Sequence, residues 1–264
     1  MKSRLLAGVA SAAILAANSA RAADLSMPQP APPPVFNWSA CHAGPHIGVA
    51  TGRTTWRDRV PDGNIDAGLA GVLTQRTANT DSSGGIYGGQ LGCDWQFPNT
   101  SIVIGIEGMV DGANIEGANQ DAFNFDWTLR SRVSLFGTVT GRLGYAVSGM
   151  SNVLLYFRGG VLFSENRYEI ENSGVTVGAP VVFQTGWTVG AGVEWAFAPA
   201  WSLFVEGNYN DTDRYTEPFD NVFAVQNGFV RPPFLVRTHT TFETLKLGVN
   251  FRFLGQAAPV VARY

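Results

Sequence analysis

The sequence predicts an all-β fold, an eight-stranded antiparallel up-and-down β-barrel. Apolar and polar residues alternate at period two in eight segments, which is typical of strands with unlike faces. These segments are 40–52, 84–97, 101–112, 127–147, 153–164, 184–197, 201–210 and 241–253. Their connections alternate in length, with short turns at 98–100, 148–152 and 198–200 and long polar loops at 53–83, 113–126, 165–183 and 211–240. An even strand number with connections sorted in this way predicts a barrel that has its turns at one end and its loops at the other.

The two faces of the predicted strands differ in chemistry. One face is apolar and aromatic, and includes Ile104, Ile106, Leu129, Val133, Leu135, Val139, Leu143, Phe157, Val193, Trp195 and Val205. The other is rich in glycine and includes Glu107, Asp111, Arg130, Arg132, Arg142, Arg158, Glu194, Glu206, Lys246 and Arg252. A barrel in lipid turns its apolar face outward, and eight strands enclose a narrow interior that suits glycine. We therefore expect a transmembrane β-barrel with short periplasmic turns and long extracellular loops, with a secreted ligand-binding barrel as the alternative.

The N-terminus has the pattern of an export signal. Lys2 and Arg4 precede an apolar run over 5–17, and small residues at 20 and 22 suit a cleavage site, so 1–22 are expected to be a cleaved signal peptide. Residues 23–37 contain "MPQPAPPPV" and are expected to be a Pro-rich periplasmic spacer, or alternatively a contact arm for a periplasmic partner or the cell wall. The barrel is expected over 38–253, followed by a short periplasmic tail over 254–264.

Net charge argues against nucleic acid as a partner. Removal of Lys2, Arg4 and Arg21 leaves 15 of the 18 basic residues against all 21 acidic residues, a formal charge of −6. A nucleic-acid-binding chain would show a basic surface instead. The exported chain is expected to be located in the outer membrane of a Gram-negative bacterium.

Charges on the inward face alternate in sign around the predicted ring. We expect an interior charge ladder made of Glu107, Arg142, Arg158, Glu194, Glu206, Lys246 and Arg252. Neighbouring strands suggest the pairs Glu107 with Arg142, Arg158 with Glu194, and Glu206 with Lys246 or Arg252. Buried charges must be paired, since breaking a pair leaves an uncompensated charge. The ladder therefore predicts a plugged interior rather than a water-filled pore.

The two cysteines are expected to form a disulfide. Cys41 lies near the start of the first strand and Cys93 near the end of the second, so antiparallel pairing brings them to the same height. Both belong to the apolar face, and an exported chain meets an oxidising compartment.

The three histidines, His42, His46 and His239, are weak candidates for haem binding. His42 and His46 share a face but lie about 13 Å apart at ~3.3 Å per residue, too far to share a metal ion. We interpret them as hydrogen-bonded interior residues and His239 as a solvated loop residue, and we expect no bound metal or cofactor.

An enzyme is not expected. Ser131 and Ser134 lie on a strand that does not adjoin the one after His239, so no nucleophile and base come within hydrogen-bond reach. No GxSxG motif is present.

Several motifs resemble one family of small barrels. These are "AADL" followed by the proline spacer, "NWSACHAG", "GGQLGCDWQ", "GTVTGRLGY", "GWTVGAGVEWA", "WSLFVEGNY" and "LGVNFRF". The chain resembles the alphaproteobacterial outer-membrane barrels known as porin-like surface antigens and haemin-binding proteins. The resemblance implies an envelope-structural or antigenic role and, in some members, haem binding. The chain departs from the family pattern at Cys41 and Cys93, where aromatic residues are usual, and in continuing past Phe253, so either Phe253 or Tyr264 serves as the assembly signal.

Three function classes are compatible with these features of the sequence. The first is a structural and surface-display barrel, the second a small porin-like channel, and the third a haem or small-ligand receptor that uses loop residues Tyr215, Phe219, Phe223 and Phe229. The expected partners are outer-membrane lipid, the barrel-assembly and periplasmic chaperone machinery, and a cell-wall or extracellular partner, but no nucleic acid.

Overall fold

The computed structural model describes residues 36–58, 77–120, 127–172, 175–219 and 234–253. These form ten strands: β1 (Ala40–Asp58), β2 (Thr77–Gln96), β3 (Ile102–Gln120), β4 (Trp127–Ala146), β5 (Val153–Asn172), β6 (Val175–Gly178), β7 (Val181–Ala198), β8 (Trp201–Thr212), β9 (Tyr215–Phe219) and β10 (Phe234–Phe253). Within these ranges no helix is long and apolar enough to cross a membrane. The predicted signal peptide, most of the spacer, the 254–264 tail with Tyr264, and Phe223 and Phe229 lie outside the described residues.

Eight of the strands close into a ring, which confirms the predicted fold class. Each pairs antiparallel with its neighbours in the order β1, β2, β3, β4, β5, β7, β8, β10, and β10 pairs back with β1. In that closing pair Phe253 lies opposite Cys41. The short strands β6 and β9 lie outside this ring order and pair antiparallel with the last residues of β5 and the first residues of β10, respectively. A closed ring leaves no unpaired edge, so the backbone groups of all eight strands find partners within the wall.

Five of the strands extend further than the alternating pattern predicted, at the end that carries the long loops. β1 continues to residue 58 instead of 52, β3 to 120 instead of 112 and β5 to 172 instead of 164. β2 begins at 77 instead of 84, and β10 at 234 instead of 241. Much of each predicted long loop is therefore barrel wall. We call this end of the barrel the loop end and the opposite end, with the three short turns, the turn end.

The wall exchanges its inner and outer chemistry along its height. Near the turn end the outward face is apolar, with Ile106, Leu143, Phe157 and Val193 among its exposed residues. Beyond Val49, Val110, Phe163 and Leu245 the outward positions become polar or charged, as at Arg53, Glu116, Arg167 and Glu243. An apolar belt thus surrounds the lower part of the wall, nearest the turn end. A charged rim surrounds most of the upper part of the wall, between this belt and the loop end.

A β-bulge in β4 marks this exchange. The register of β4 against β5 shifts between Val133 and Leu135, so the strand has one extra residue there. Side chains alternate strictly along a strand, and an extra residue moves those beyond it to the other face. Leu129 and Val133 are consequently buried inside, and Arg130 and Arg132 are half exposed outside. The prediction that placed Leu129 and Val133 on the outward face and the two arginines on the inward face was wrong for this reason.

The interior is filled in layers. Along β5 the inward side chains from the turn end are Leu154, Tyr156, Arg158, Leu162, Ser164, Asn166, Tyr168 and Ile170. Three apolar clusters account for the apolar layers, and their members are Trp38, Val103, Ala146, Leu154, Tyr156 and Ala196 at the turn end; Ala50, Ile86, Ala113, Ile115, Val133, Phe136, Leu162 and Phe242 in the middle; and Trp56, Leu129, Tyr168, Ile170, Val182 and Val236 at the loop end. The charged residues occupy the space between the first two clusters.

Candidate functional site: the charged interior

The seven residues of the predicted charge ladder are all buried inside the barrel, between the turn-end and middle apolar clusters. Asp94, Asp111, His42 and His46 join them. Asp94 was missed as a member of the ladder, although its position could have identified it. It lies two residues from Gly92 on β2 and therefore shares the inward face with Gly92 and Gln90.

The charged groups pair across the interior rather than around the wall. Arg142 contacts Asp94 at 3.3 Å and also pairs with Glu194. Arg158 bridges Glu107 at 3.1 Å and Glu206 at 2.6 Å, and it reaches from β5 to β3 and β8. The two arginines thus connect β2, β4 and β7 in one group and β3, β5 and β8 in another, through side chains alone.

The remaining two cations complete the correction of the expected pairs. Lys246 lies directly opposite Glu206 in the register, but its Nζ contacts Asp111 Oδ2 at 2.8 Å. Arg252 approaches Glu194 at 3.8 Å. The expected pairs between neighbouring strands were wrong because an eight-stranded interior is so narrow that long side chains reach partners on the far wall.

Glu194 accepts three hydrogen bonds in this network. Ser202 Oγ donates to it at 2.6 Å and Asn250 Nδ2 at 3.1 Å, in addition to the guanidinium of Arg142. The guanidinium of Arg142 in turn lies 3.7 Å from the ring centre of Tyr156, whose hydroxyl donates to Glu206 at 3.0 Å. Because charge-assisted hydrogen bonds are stronger than neutral ones, the Glu194 carboxylate fixes the geometry of the part of the charged network that is nearest the turn end.

Two glycines on β2 make room for the two interior histidines. His42 lies opposite Gly92 in the register, and His46 opposite Gly88. A Cβ on Gly92 or on Gly88 would lie 2.8 Å from the facing imidazole Nε2. His42 Nε2 contacts Glu107 at 3.1 Å, and His46 contacts Gln90 at 2.6 Å and Asp111 at 2.7 Å. Both histidines therefore belong to the network, as interior residues with hydrogen-bonded partners.

The chain before β1 covers the turn end of the interior. Trp38 is fully buried, with its backbone N–H donating to Gln96 Oε1 at 2.9 Å and its indole N–H to Ser151 O at 2.9 Å. Arg252 donates to Trp38 O at 2.6 Å and lies near the rings of both Trp38 and Phe36. Phe36, assigned to the spacer from the sequence, thus packs against the barrel.

Cys41 and Cys93 lie directly opposite each other on β1 and β2, and their sulfur atoms form a disulfide bond of 2.03 Å. They lie on the outward face of the wall near the turn end. The bond therefore joins the first two strands from outside the interior network.

The other candidate residues lie away from the interior network. His239 is on the outward face, where its Nε2 contacts Asp211 Oδ1 at 2.8 Å, so it is paired rather than simply solvated. Ser131 is buried inside, whereas Ser134, at the bulge, donates to Glu165 at 2.9 Å. Tyr215 and Phe219 belong to β9. Within the described ranges, no cluster of three or more His, Cys, Asp or Glu residues could hold a metal ion.

The closed ring, its apolar outward belt and its charged interior define the class of protein as an integral outer-membrane β-barrel. Residues 9–253 match the family described as the outer membrane protein beta-barrel domain, and the chain belongs to that family. It is located in the outer membrane of a Gram-negative bacterium, with its short turns on the periplasmic side and its loop end outside.

Among curated proteins, the chain is similar to the 31 kDa outer-membrane immunogenic protein of Brucella melitensis, with 29% identity over 264 residues that cover 96% of this chain and 100% of the relative. Among solved structures it is similar to OprG of Pseudomonas aeruginosa, with 10% identity, 83% of this chain and 98% of that chain covered, and a TM-score of 0.46. It is also similar to the outer membrane protease OmpT of Escherichia coli, with 12% identity, 83% and 98% coverage, and a TM-score of 0.40.

Proposed function

We propose that this protein is a structural and surface-display barrel that supports envelope integrity, with an interior plugged by paired charges. The observation that supports this proposal is the filling of the interior along its height. Apolar clusters lie at both ends and in the middle, and the space between the first two clusters is occupied by ion pairs. Eight strands leave an interior only wide enough for side chains, so a continuous water path has no room.

The display role rests on the charged rim. Outward residues such as Arg132 and Glu116 form cross-strand ion pairs above the apolar belt, here at 3.1 Å. Charged side chains facing lipid would be destabilising, so this part of the wall stands above the hydrocarbon region. The rim thus raises the loop end of the barrel above the membrane, where surface-exposed segments meet antibodies or an extracellular partner. We further propose the assembly machinery, periplasmic chaperones and outer-membrane lipid as partners, with Phe253 as the candidate assembly signal among the described residues.

The proposal includes neither a cofactor nor catalysis. His42 and His46 are enclosed and paired inside the barrel, which does not suit axial ligation of haem from outside. His239 and Ser131 lie on opposite faces of the wall, which does not suit a nucleophile and its base. A haem titration followed by absorbance tests the first point, and we expect no saturable spectral change in the wild-type protein beyond that of a His239→Gln variant.

Conductance in planar bilayers tests the plug. The refolded wild-type protein is expected to show no steady, nanosiemens-scale channels. Glu243→Ala, on the outward face, is the matched control for Glu206→Ala, on the inward face, and only the second is expected to add brief openings. Steady channels in the wild-type protein would replace this proposal with the porin-like alternative. In cells, a deletion strain is expected to leak periplasmic contents, with unchanged growth on haem as the iron source.

A further inference from the structure

His46 lies in the middle of the charged interior, and its hydrogen-bond partners fix where its protons are. Gln90 Nε2 contacts Val249 O at 3.1 Å and Asn250 Oδ1 at 2.9 Å. A backbone carbonyl only accepts hydrogen bonds, so the amide nitrogen of Gln90 must point toward Val249. The amide oxygen of Gln90 therefore faces His46 Nδ1, at 2.6 Å, and His46 must donate there.

The other imidazole nitrogen faces a carboxylate. His46 Nε2 lies 2.7 Å from Asp111 Oδ1, and Asp111 Oδ2 accepts a hydrogen bond from Lys246 Nζ at 2.8 Å. A carboxylate beside an ammonium group is favoured in its ionised form, which only accepts. His46 therefore donates from Nε2 as well, and an imidazole that donates from both nitrogens is an imidazolium cation.

The charge count of the interior agrees with this assignment. Within the described interior there are five buried carboxylates and four permanent cations: Asp94, Glu107, Asp111, Glu194 and Glu206 against Arg142, Arg158, Lys246 and Arg252. These groups face the histidines from β2, β3, β4, β5, β7, β8 and β10, and one further positive charge makes the set neutral. Net charge in a dry interior is costly, so neutrality is favoured.

His42 is the less suitable source of that charge. Its Nε2 contacts Glu107 at 3.1 Å, but its Nδ1 is 3.5 Å from Asp94 and makes no hydrogen bond. One proton on Nε2 satisfies His42, whereas His46 has two acceptors within 2.7 Å. The geometry distinguishes the two histidines even though both are buried.

We propose that His46 is the fifth cation of the interior, an imidazolium that donates to Gln90 and to Asp111 and balances the charge of the network. Loss of its proton would leave the interior with one uncompensated negative charge and would remove the donor to Gln90 or to Asp111. The proposal rests on hydrogen-bond directions and on the charge count of the interior, and it is independent of whether the barrel conducts.

The protonation state can be observed directly in the full chain, refolded in detergent micelles with ¹⁵N-labelled histidine at pH about 7.5. We expect one imidazole to have both nitrogens protonated, with its signals retained in His42→Gln and in His239→Gln. Those two variants assign His46 by elimination even if His46→Gln does not fold. A singly protonated His46 in the wild-type protein would overturn the proposal, including the case in which the proton resides on Asp111.

A second measurement records the same spectra for Asp111→Asn, which removes the anion that faces Nε2. We expect the doubly protonated imidazole to be lost in this variant and to be kept in His42→Gln. Its retention in Asp111→Asn would also contradict the proposal.

Discussion

The two parts of β4 on either side of its bulge have opposite polarity. Below the bulge, Val139 and Leu143 face outward and Arg142 is buried in the interior. Above it, Leu129 is buried and Arg130 is half exposed on the outside. The same strand is thus built for lipid in one part and for water in the other. The medium outside the wall, and not the barrel fold, therefore decides which face is apolar.

The two parts are stabilised by different interactions. Above the belt, burial of side chains such as Trp56 and Tyr168 stabilises the barrel by the hydrophobic effect, as in a water-soluble protein. Within the belt, the outward apolar residues remain in lipid, and the interior depends on paired charges such as Arg158 with Glu206. Exposed ion pairs on the upper rim add little, since solvent screens them.

Removing the bulge should have the largest effect on this contrast. Deletion of Ser134 would restore simple alternation through β4, so residues beyond it would turn to the wrong face. Arg130 and Arg132 would then enter the apolar interior unpaired, or the lower part of the strand would turn its charges to lipid. We expect the variant to yield no folded barrel, seen as loss of the faster-migrating band of the unboiled protein on gels. Ser134→Gly retains the extra residue and is the control; equal folding of the two variants would contradict the role of the bulge.

Removal of the Glu194 carboxylate should have the next largest effect. Glu194→Ala removes one of the two carboxylates that pair with the buried Arg142, and it removes the acceptor of Ser202 and Asn250, at an expected cost of about 3–5 kcal/mol. The wild-type barrel is expected to run faster unboiled than boiled, and the temperature of that conversion measures the loss. Glu116→Ala on the rim, an exposed member of an ion pair, is the control. Equal conversion temperatures would show that the interior pairs are not needed for stability.

How much of the structure was predictable depends on whether a feature follows from local pattern. The eight-fold alternation and the sorted connections were sufficient for the barrel, and parity alone placed Glu107, Arg142 and Glu194 inside. The bulge at 133–135 was not predictable, because a single extra residue leaves no mark in composition. The strand ends were missed for a related reason: above the belt the outward residues become polar, so the wall reads as loop.

The pairing within the interior was beyond local pattern altogether. Sequence position gives the height of a side chain and the face on which it lies, and these place Lys246 opposite Glu206. Which of several acceptors a long side chain reaches depends on the diameter of the closed ring. Cys41 and Cys93 are the simpler case, since short side chains on adjacent strands can meet only their direct neighbour, and height and parity were enough to pair them.

The disulfide tests the lower part of the wall without disturbing its interior. Cys93→Ser should lower the stability by about 2–4 kcal/mol, because the bond closes a segment with a sequence separation of 52 in the unfolded chain. Reductant should lower the wild-type conversion temperature to that of Cys93→Ser and leave the variant unchanged. Thiol labelling of unreduced, denatured wild-type protein should detect no thiol, and two reactive thiols would refute the bond.

The smallest effect is expected on the charged rim, at Asp81. Arg53 Nε donates to Asp81 Oδ1 at 2.7 Å on the outward face above the belt, where both side chains are mostly exposed. The hydrogen bond from Arg53 lowers the pKa of Asp81 below its ordinary value, more than the slight desolvation raises it. A carboxyl with a lowered pKa stabilises the fold above its unfolded pKa of about 3.9, and this contribution disappears as the pH falls through the folded value. Because solvent screens this exposed pair, Asp81→Asn should leave the conversion temperature unchanged within error at neutral pH. In strong acid, where Asp81 itself is protonated, the variant and the wild-type protein should not differ at all. A loss at neutral pH comparable to that of Glu194→Ala would mean that the rim, like the lower interior, depends on its ion pairs, and the contrast between the two parts of the wall would not hold.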